Sequence, residues 1–297
     1  LLTCSSGAWS AAKTCPKDTP ACFEGKCQVC IPAAKSCDAD NVGDVLQCDA
    51  GGTKTTKLKT CATGKCVGAG LCVAKGTFDV SDTTKAITAM TAVGLANAGF
   101  AGVWISKEPF GNTVKGRAFD GEGAAVAKSF DVSDTSNYAS ATSRVAAASN
   151  GARYAVAWTA GADAHVAVLD AAHKSVGKLK LTANNTGDAS GVGIGTFGTG
   201  WIVVWSALDG NLNKIYAQRL DTNGKAVGDV VPVVNDSPQR YDSNPVVAET
   251  PAGGFTVVWA SVDDGGNFNP QITGRTYDKD GKSLTASNSL RQGNDAL

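Results

Sequence analysis

The chain has 297 residues, room for one large domain or two smaller ones, with 43% hydrophobic residues, 18% charged residues and a formal net charge of zero. That balance argues against nucleic acid or an anionic membrane surface as the main partner, because both demand clustered Lys and Arg. No run of about 20 apolar residues occurs, so no membrane-spanning helix is expected. Abundant Gly, Thr, Val and Asn, with the single Met at Met90, suit a β-rich secreted protein.

All ten Cys lie in the first quarter of the chain: Cys4, Cys15, Cys22, Cys27, Cys30, Cys37, Cys48, Cys61, Cys66 and Cys72. The spacing repeats, with C-x10-C and C-x4-C steps in each of two units of about 35 residues. Five Cys per unit is odd, so full pairing requires at least one bridge between the units, and Cys30 with Cys72 is one candidate. Spacing leaves the rest of the connectivity open. Two aromatics, Trp9 and Phe23, cannot give this segment a stable core unaided. Zinc is the rival reading of Cys27 and Cys30, but no second C-x2-C follows and the segment holds no His. Disulfides are the expectation, and with them an oxidising compartment: extracellular, cell surface or periplasm. The sequence therefore predicts a disulfide-rich module at 1–72 and a second domain at 73–297.

The second domain is periodic. Trp104, Trp158, Trp205 and Trp259 recur at intervals of 54, 47 and 54 residues. Four positions before each stands an aromatic: Phe100, Tyr154, Trp201 and Phe255. Residues two apart in a strand share a face, so each copy presents aromatic, small or branched residue, then Trp on one side. A second strand follows and ends at Asp120, Asp170, Asp221 or Asp278, each opening a turn rich in Asp, Asn and Gly. Another strand comes after the turn and one more precedes the Trp strand. Each period thus holds four short strands, here a, b, c and d, with Trp on b. The segment from Val73 to Thr83 nearly duplicates the d segment from Val126 to Thr135, and is expected to close another sheet as a borrowed strand; because a d-like strand also ends the fourth repeat, either residues 284–297 are not a true d strand or the sheets form a stack instead of a closed propeller. The predicted fold is all-β: a β-propeller-like domain of about four four-stranded repeats.

Trp201 to Val227 and Gly253 to Trp259 resemble tandem β repeats of large secreted and surface bacterial proteins, with a pattern close to GGFVVVWxS…DGxxxxIYAQRxDxxGxxVG. The match rests on Gly253-Gly254-Phe255 and on Ile215-Tyr216-Ala217-Gln218-Arg219; the first two repeats match less, and the Cys-rich head is similar, more loosely, to modules of such proteins. The resemblance implies an extracellular location and propeller-like repeats.

Function is expected on the face carrying the b–c and d–a loops, which vary, while the a–b and c–d hairpins are short. The candidate ligand-binding residues are Phe110, Asn112, Tyr138, Asn211, Asn213, Arg240, Tyr241, Asn267 and Phe268, since rings cover apolar sugar faces and amides meet hydroxyls. Asp209, Asp263 and Asp264 are candidate Ca2+ ligands, without a complete EF-type loop; no other cofactor is expected. Only His165 and His173 are available to a catalytic triad, and no G-x-S-x-G or phosphate loop occurs. The expectation is a non-enzymatic binding or adhesion protein, taking glycan or a surface protein as partner. The alternatives are a structural, self-associating surface protein and, third, a glycan hydrolase using loop carboxylates such as Glu108, Asp209 and Asp263.

Overall fold

The computed structural model describes residues 4–5, 8–9, 21–23, 26–41, 43–61, 64–67, 71–74, 78–82, 84–96, 99–109, 111–134, 144–161, 163–181, 189–209, 212–233, 240–263, 270–285 and 288–292. The chain divides into two compact units: Leu1–Asp79 with Asp120–Ala124, and Val80–Phe119 with Ala125–Leu297. Both are all-β among the described residues, and no helix is long and apolar enough to cross a membrane.

The first unit is a set of short antiparallel pairs. β1 (Cys4–Ser5) pairs β2 (Ala8–Trp9), and β3 (Ala21–Phe23) pairs β4 (Lys26–Gln28) with Cys22 opposite Cys27. β5 (Lys35–Cys37), β6 (Asp44–Cys48) and β7 (Thr55–Thr60) form a three-stranded sheet, and β8 (Gly64–Val67) and β9 (Leu71–Ala74) a hairpin. Three bridges staple the later part: Cys30–Cys48, Cys37–Cys66 and Cys61–Cys72. The suggested Cys30–Cys72 bridge is therefore wrong. The β8–β9 hairpin carries Cys72 towards Cys61, and Cys30 instead makes the link to the second Cys unit through Cys48. Cys61, Cys66 and Cys72 pack with Val45 into the small buried cluster of this unit. Each bridge stabilises the fold by about 2–4 kcal/mol. Cys15 and the side chains of Cys4, Cys22 and Cys27 lie outside the described residues.

The second unit contains four antiparallel meanders in strict sequence order. The first is β10 (Ile87–Gly94), β11 (Phe100–Glu108), β12 (Gly111–Phe119) and β13 (Phe130–Asp131). The second is β14 (Val145–Ser149), β15 (Tyr154–Ala160), β16 (Asp163–Leu169) and β17 (Ser175–Leu181). The third is β18 (Ala189–Phe197), β19 (Gly200–Asp209), β20 (Leu212–Leu220) and β21 (Ala226–Pro232). The fourth is β22 (Arg240–Glu249), β23 (Phe255–Asp263), β24 (Pro270–Tyr277) and β25 (Asn288–Gln292).

The alternation read from the sequence explains how these sheets stack. Tyr154, Val156 and Trp158 of the second sheet pack on Val103 and Ile105 of the first. Trp201, Val203 and Trp205 of the third pack on Ala155, Ala157 and Val166 of the second. Phe255, Val257 and Trp259 of the fourth pack on Ile202, Val204 and Ile215 of the third. The four repeat Trp are all at most 2% exposed. Successive sheets thus shield one another, which is a propeller-like arrangement. The glycines of Gly191-Val192-Gly193-Ile194-Gly195 are part of this stacking. A Cβ on Gly193 would stand 2.5 Å from the Pro245 carbonyl oxygen, and one on Gly195 2.9 Å from that of Val247, so bare backbone lets β18 lie against β22.

The expected borrowed strand does not form. Val73 and Ala74 belong to β9, opposite Lys65 and Gly64. Each sheet already has its own d strand, including β25, which pairs β24. Val80 of the duplicated segment instead packs over Gly102, where no Cβ could fit. On the outer face of the fourth sheet Val246 and Ile272 are exposed, and among the described residues no apolar cluster joins it to the first sheet.

Candidate functional site

The second unit has two unlike ends. At one end lie the a–b and c–d hairpins. There Asp170, Asp221 and Asp278 each use Oδ1 to accept the backbone N–H groups two and four residues on, at 2.8–2.9 Å, and Asp120 in the turn after β12 does the same. The two donated N–H bonds, that of Lys282 first, hold the Asp278 carboxyl below the usual carboxylate range. These Asp are turn-formers, which accounts for the Asp278-Lys279-Asp280-Gly281 sequence without a cation.

Side chains at this end also stitch neighbouring sheets together. Arg153 Nη1 donates to Thr222 O and Asn223 Oδ1, both at 2.7 Å. Arg219 donates in the same way to Lys279 O of the next sheet's turn and lies over Phe197. Asn150 Nδ2 donates to Thr199 O, and Gly198 N to Glu249 Oε1. Gln218, almost fully buried, donates its two Nε2–H groups among Arg219 O, Val227 O and Gly228 O, all within 3.2 Å, filling the register shift between β20 and β21. The Gln-Arg step of the repeat pattern is therefore structural: Gln plugs a bulge and Arg grips the next turn.

His173 is at the hairpin end too. Its φ is 63°, at the turn position where the other repeats have Gly123, Gly224 and Gly281. The ring stacks on Phe130 at 5.0 Å, and Nδ1 lies 2.9 Å from the Tyr154 hydroxyl. Burial pushes His173 below the ordinary histidine range, against the opposing pull of Asp170. Burial, with Asp170 second, pushes the Tyr154 phenol up.

The other end carries the b–c and d–a connections. The b and c strands run further than the sequence suggested, leaving two-residue b–c links in the first three sheets. Asn112 and Asn213 accordingly sit within β12 and β20 rather than in loops, and Asn112 is buried. Arg240 and Tyr241 open β22, with the Tyr241 ring 37% exposed. Asp209 ends β19; its Oδ2 accepts from Lys214 Nζ at 2.7 Å and lies 3.4 Å from the Tyr216 hydroxyl. Burial, then the Asp209 charge, raises the Tyr216 phenol. Two further carboxylates here are ion-paired, Glu108 with Lys85 and Asp163 with Lys180. His165 is stacked on Trp158 and lowered by burial. Phe110, Tyr138, Asn211, Asp264, Asn267 and Phe268 lie outside the described residues, as does the side chain of Asp263, whose backbone ends β23.

Among the described residues, the groups of three metal-ligating side chains are Cys30, Cys48 and Asp49, and Cys61, Cys72 and Glu122. Their sulfurs are spent in disulfides, so they are not cation sites. One polar row was missed from the sequence. Asp242, Ser261 and Thr273 are buried in the fourth sheet near its loop end, and Asp242 Oδ1 accepts from Trp259 Nε1 at 3.0 Å. Only a register-by-register comparison with the third sheet, where Ala189 and Ala207 occupy the first two positions, could have shown it.

No family model matches the sequence, and no characterised protein matches it by sequence. Solved structures of similar shape include Aleuria aurantia lectin, at 11% identity and TM-score 0.48 over 89% of this chain and 75% of that one. They also include an α-L-arabinofuranosidase of Fusarium graminearum, at 15% identity and TM-score 0.47 over 71% of this chain and 68% of that one. A neuraminidase-like protein of A/little yellow-shouldered bat/Guatemala has 9% identity and TM-score 0.48 over 68% of this chain; the chain spans 58% of its length. These likenesses concern fold only. They do correct one expectation. The chain was expected not to be an enzyme, but α-L-arabinofuranosidases and an α-L-arabinanase are among the neighbours, so an all-β propeller-like fold gives no ground for excluding glycoside hydrolysis.

Proposed function

We propose that the protein is an extracellular carbohydrate-interacting protein that engages glycans at the loop end of its third and fourth sheets, with surface adhesion as the role this serves. The observation that carries the reading is the grouping of Asp209, Lys214 and the Tyr216 hydroxyl on β19 and β20, with the exposed Tyr241 ring on the same end of the next sheet. A carboxylate and an ammonium answer sugar hydroxyls, and an amphipathic ring covers the apolar face of a pyranose. The three bridges in the first unit agree with an oxidising compartment.

A broad glycan array followed by titration with the free sugars that score tests this. Binding by the wild-type chain, weakened in Asp209→Asn and Tyr241→Ala, is expected. Binding unchanged in both variants, or no binding at all, defeats the reading. Chromatography of the same incubations for released sugar separates retention of the glycan from its hydrolysis.

A further inference from the structure

Stacking gives a sheet of the second unit one face that covers the preceding sheet and one that is covered in turn. On the third sheet the covered face presents Val204, Ile215 and Ala217, all buried against Phe255, Val257 and Trp259. Register carries these positions to the fourth sheet. Tyr216 stands opposite Trp205 and Thr273 opposite Trp259, so Val258, Ile272 and Gly274 occupy the places of Val204, Ile215 and Ala217. The face keeps its apolar character, but Ile272 is 43% exposed, and Val246, opposite Val258, is 59% exposed.

This face is not made for water. An antiparallel sheet that meets solvent normally turns polar side chains to it, as β7 does with its Thr and Lys. The alternate positions of β22, β23 and β24 that share the face run from Val246 to Ala248, from Thr256 to Val262 and from Ile272 to Thr276, and none of them is charged. Thr256 and Thr276 bond their hydroxyls to each other at 3.0 Å. A contiguous uncharged apolar surface of this kind marks a site of protein association.

Two observations decide what covers it. A further sheet stacked as the fourth is on the third does not fit, because Val246 stands where the third sheet has Gly193. There the missing Cβ is what admits the next sheet: one on Gly193 would stand 2.5 Å from the Pro245 carbonyl oxygen. Nor can a second copy offer its first sheet in that role, since Trp104 is 1% exposed and Val80 already fills the space over Gly102. The face that remains complementary is the same face of a second copy, on which these strands place no charge to repel its own image.

We infer that two copies of the chain pack the outer faces of their fourth sheets together about a two-fold axis, with Val246, Val258 and Ile272 of each at the centre. One patch serves both partners, so the assembly closes at two. The sheets then lie face to face about 10 Å apart, as in a β-sandwich. Tyr241, opposite Val262, is about 13 Å along the strands from Val258 and so falls at the margin of the contact. The inference goes beyond the carbohydrate reading and does not depend on it.

Sedimentation equilibrium of the full chain over a range of concentrations tests it, and a monomer–dimer equilibrium is expected. Val246→Asp and Ile272→Lys should each weaken the dimer about tenfold or more, since each would bury an unpaired charge. Both positions are exposed in the single chain, so the urea midpoints of the dilute variants should match that of dilute wild type. Val246→Ser, neutral and smaller, should weaken the dimer by less, and keeps the test decisive if a charged variant misfolds. A wild-type chain that is monomeric at every concentration overturns the inference. Species larger than a dimer that grow with concentration also overturn it, because a closed two-fold contact does not propagate. A dimer that survives all three substitutions uses another surface and overturns it as well.

Discussion

The two ends of the sheet-built unit are made from the same four repeats and use their polar residues in opposite ways. At the hairpin end, polar side chains are bound to backbone: Asp221 to its own turn, Gln218 to a bulge, Arg153 and Arg219 to the turn of the following sheet. At the loop end they meet one another, as Asp209 does Lys214 and Tyr216. The first kind of contact fixes the angle between sheets. The second leaves groups able to exchange partners with a ligand. A Gln-Arg pair in the repeat pattern is easily taken for a binding motif. Its bonds show that it belongs to the scaffold, and that residues breaking the pattern are the better guide to function.

If stacking of the sheets underlies both ends, the largest effect should come from the layer between them. Trp205→Ala should cost about 3–5 kcal/mol, read from urea unfolding, since it empties a fully buried site between the second and third sheets. A near-neutral result would mean that the sheets do not depend on one another, and the contrast between ends would lose its basis.

The hairpin end comes next. Arg153→Ala should cost about 2 kcal/mol through the lost bonds to Thr222 and Asn223, without changing glycan binding. Loss of binding at unchanged stability would place function at the wrong end.

Protonation gives a third comparison, because one His lies toward each end. Burial lowers both His165 and His173, so the unfolded chain takes up protons first as pH falls through about 6.5. Their contribution to stability is complete above that pH and is lost progressively as pH drops toward the depressed folded-state values. The urea midpoint should be lower at pH 5 than at pH 7.5, with part of the difference removed in His173→Asn and part in His165→Phe. A midpoint independent of pH would show that neither ring is buried.

What is legible in the sequence follows the same division between the two ends. The Trp period and the Asp-led turns were readable because each copy repeats them at a fixed strand position. The Arg contacts were not: Arg153 precedes a b strand and Arg219 ends a c strand, so alignment of the repeats never superposes them, although they do the same work. Strand length was underestimated because Asn112 and Asn213, which look like loop residues, lie on the extension of b and c beyond the stacked core. The disulfide partner of Cys30 depended on where β6 and the β8–β9 hairpin carry Cys48 and Cys72, which spacing does not encode. The buried polar row of the fourth sheet was invisible for a further reason. Ser and Thr are common in strands, and only the register reveals that Ser261 stands where the sister repeat keeps Ala207.

The smallest expected stability change is also the one that most directly separates the two ends. Tyr241 sits at the start of β22 opposite Val262, with its ring partly in water. Tyr241→Ala removes little buried surface, so its unfolding free energy should stay within about 0.5 kcal/mol of wild type. If the ring is a contact for sugar, binding should nevertheless fall about tenfold or more, as it does for anchoring aromatics at interfaces. Arg153→Ala is the mirror image, with stability lost and binding kept. The pair therefore forms a double dissociation. Should both variants lose stability and binding together, the two ends would be a single cooperative structure, and the division between scaffold and site would have to be redrawn inside the sheets, around Trp259 and Asp242.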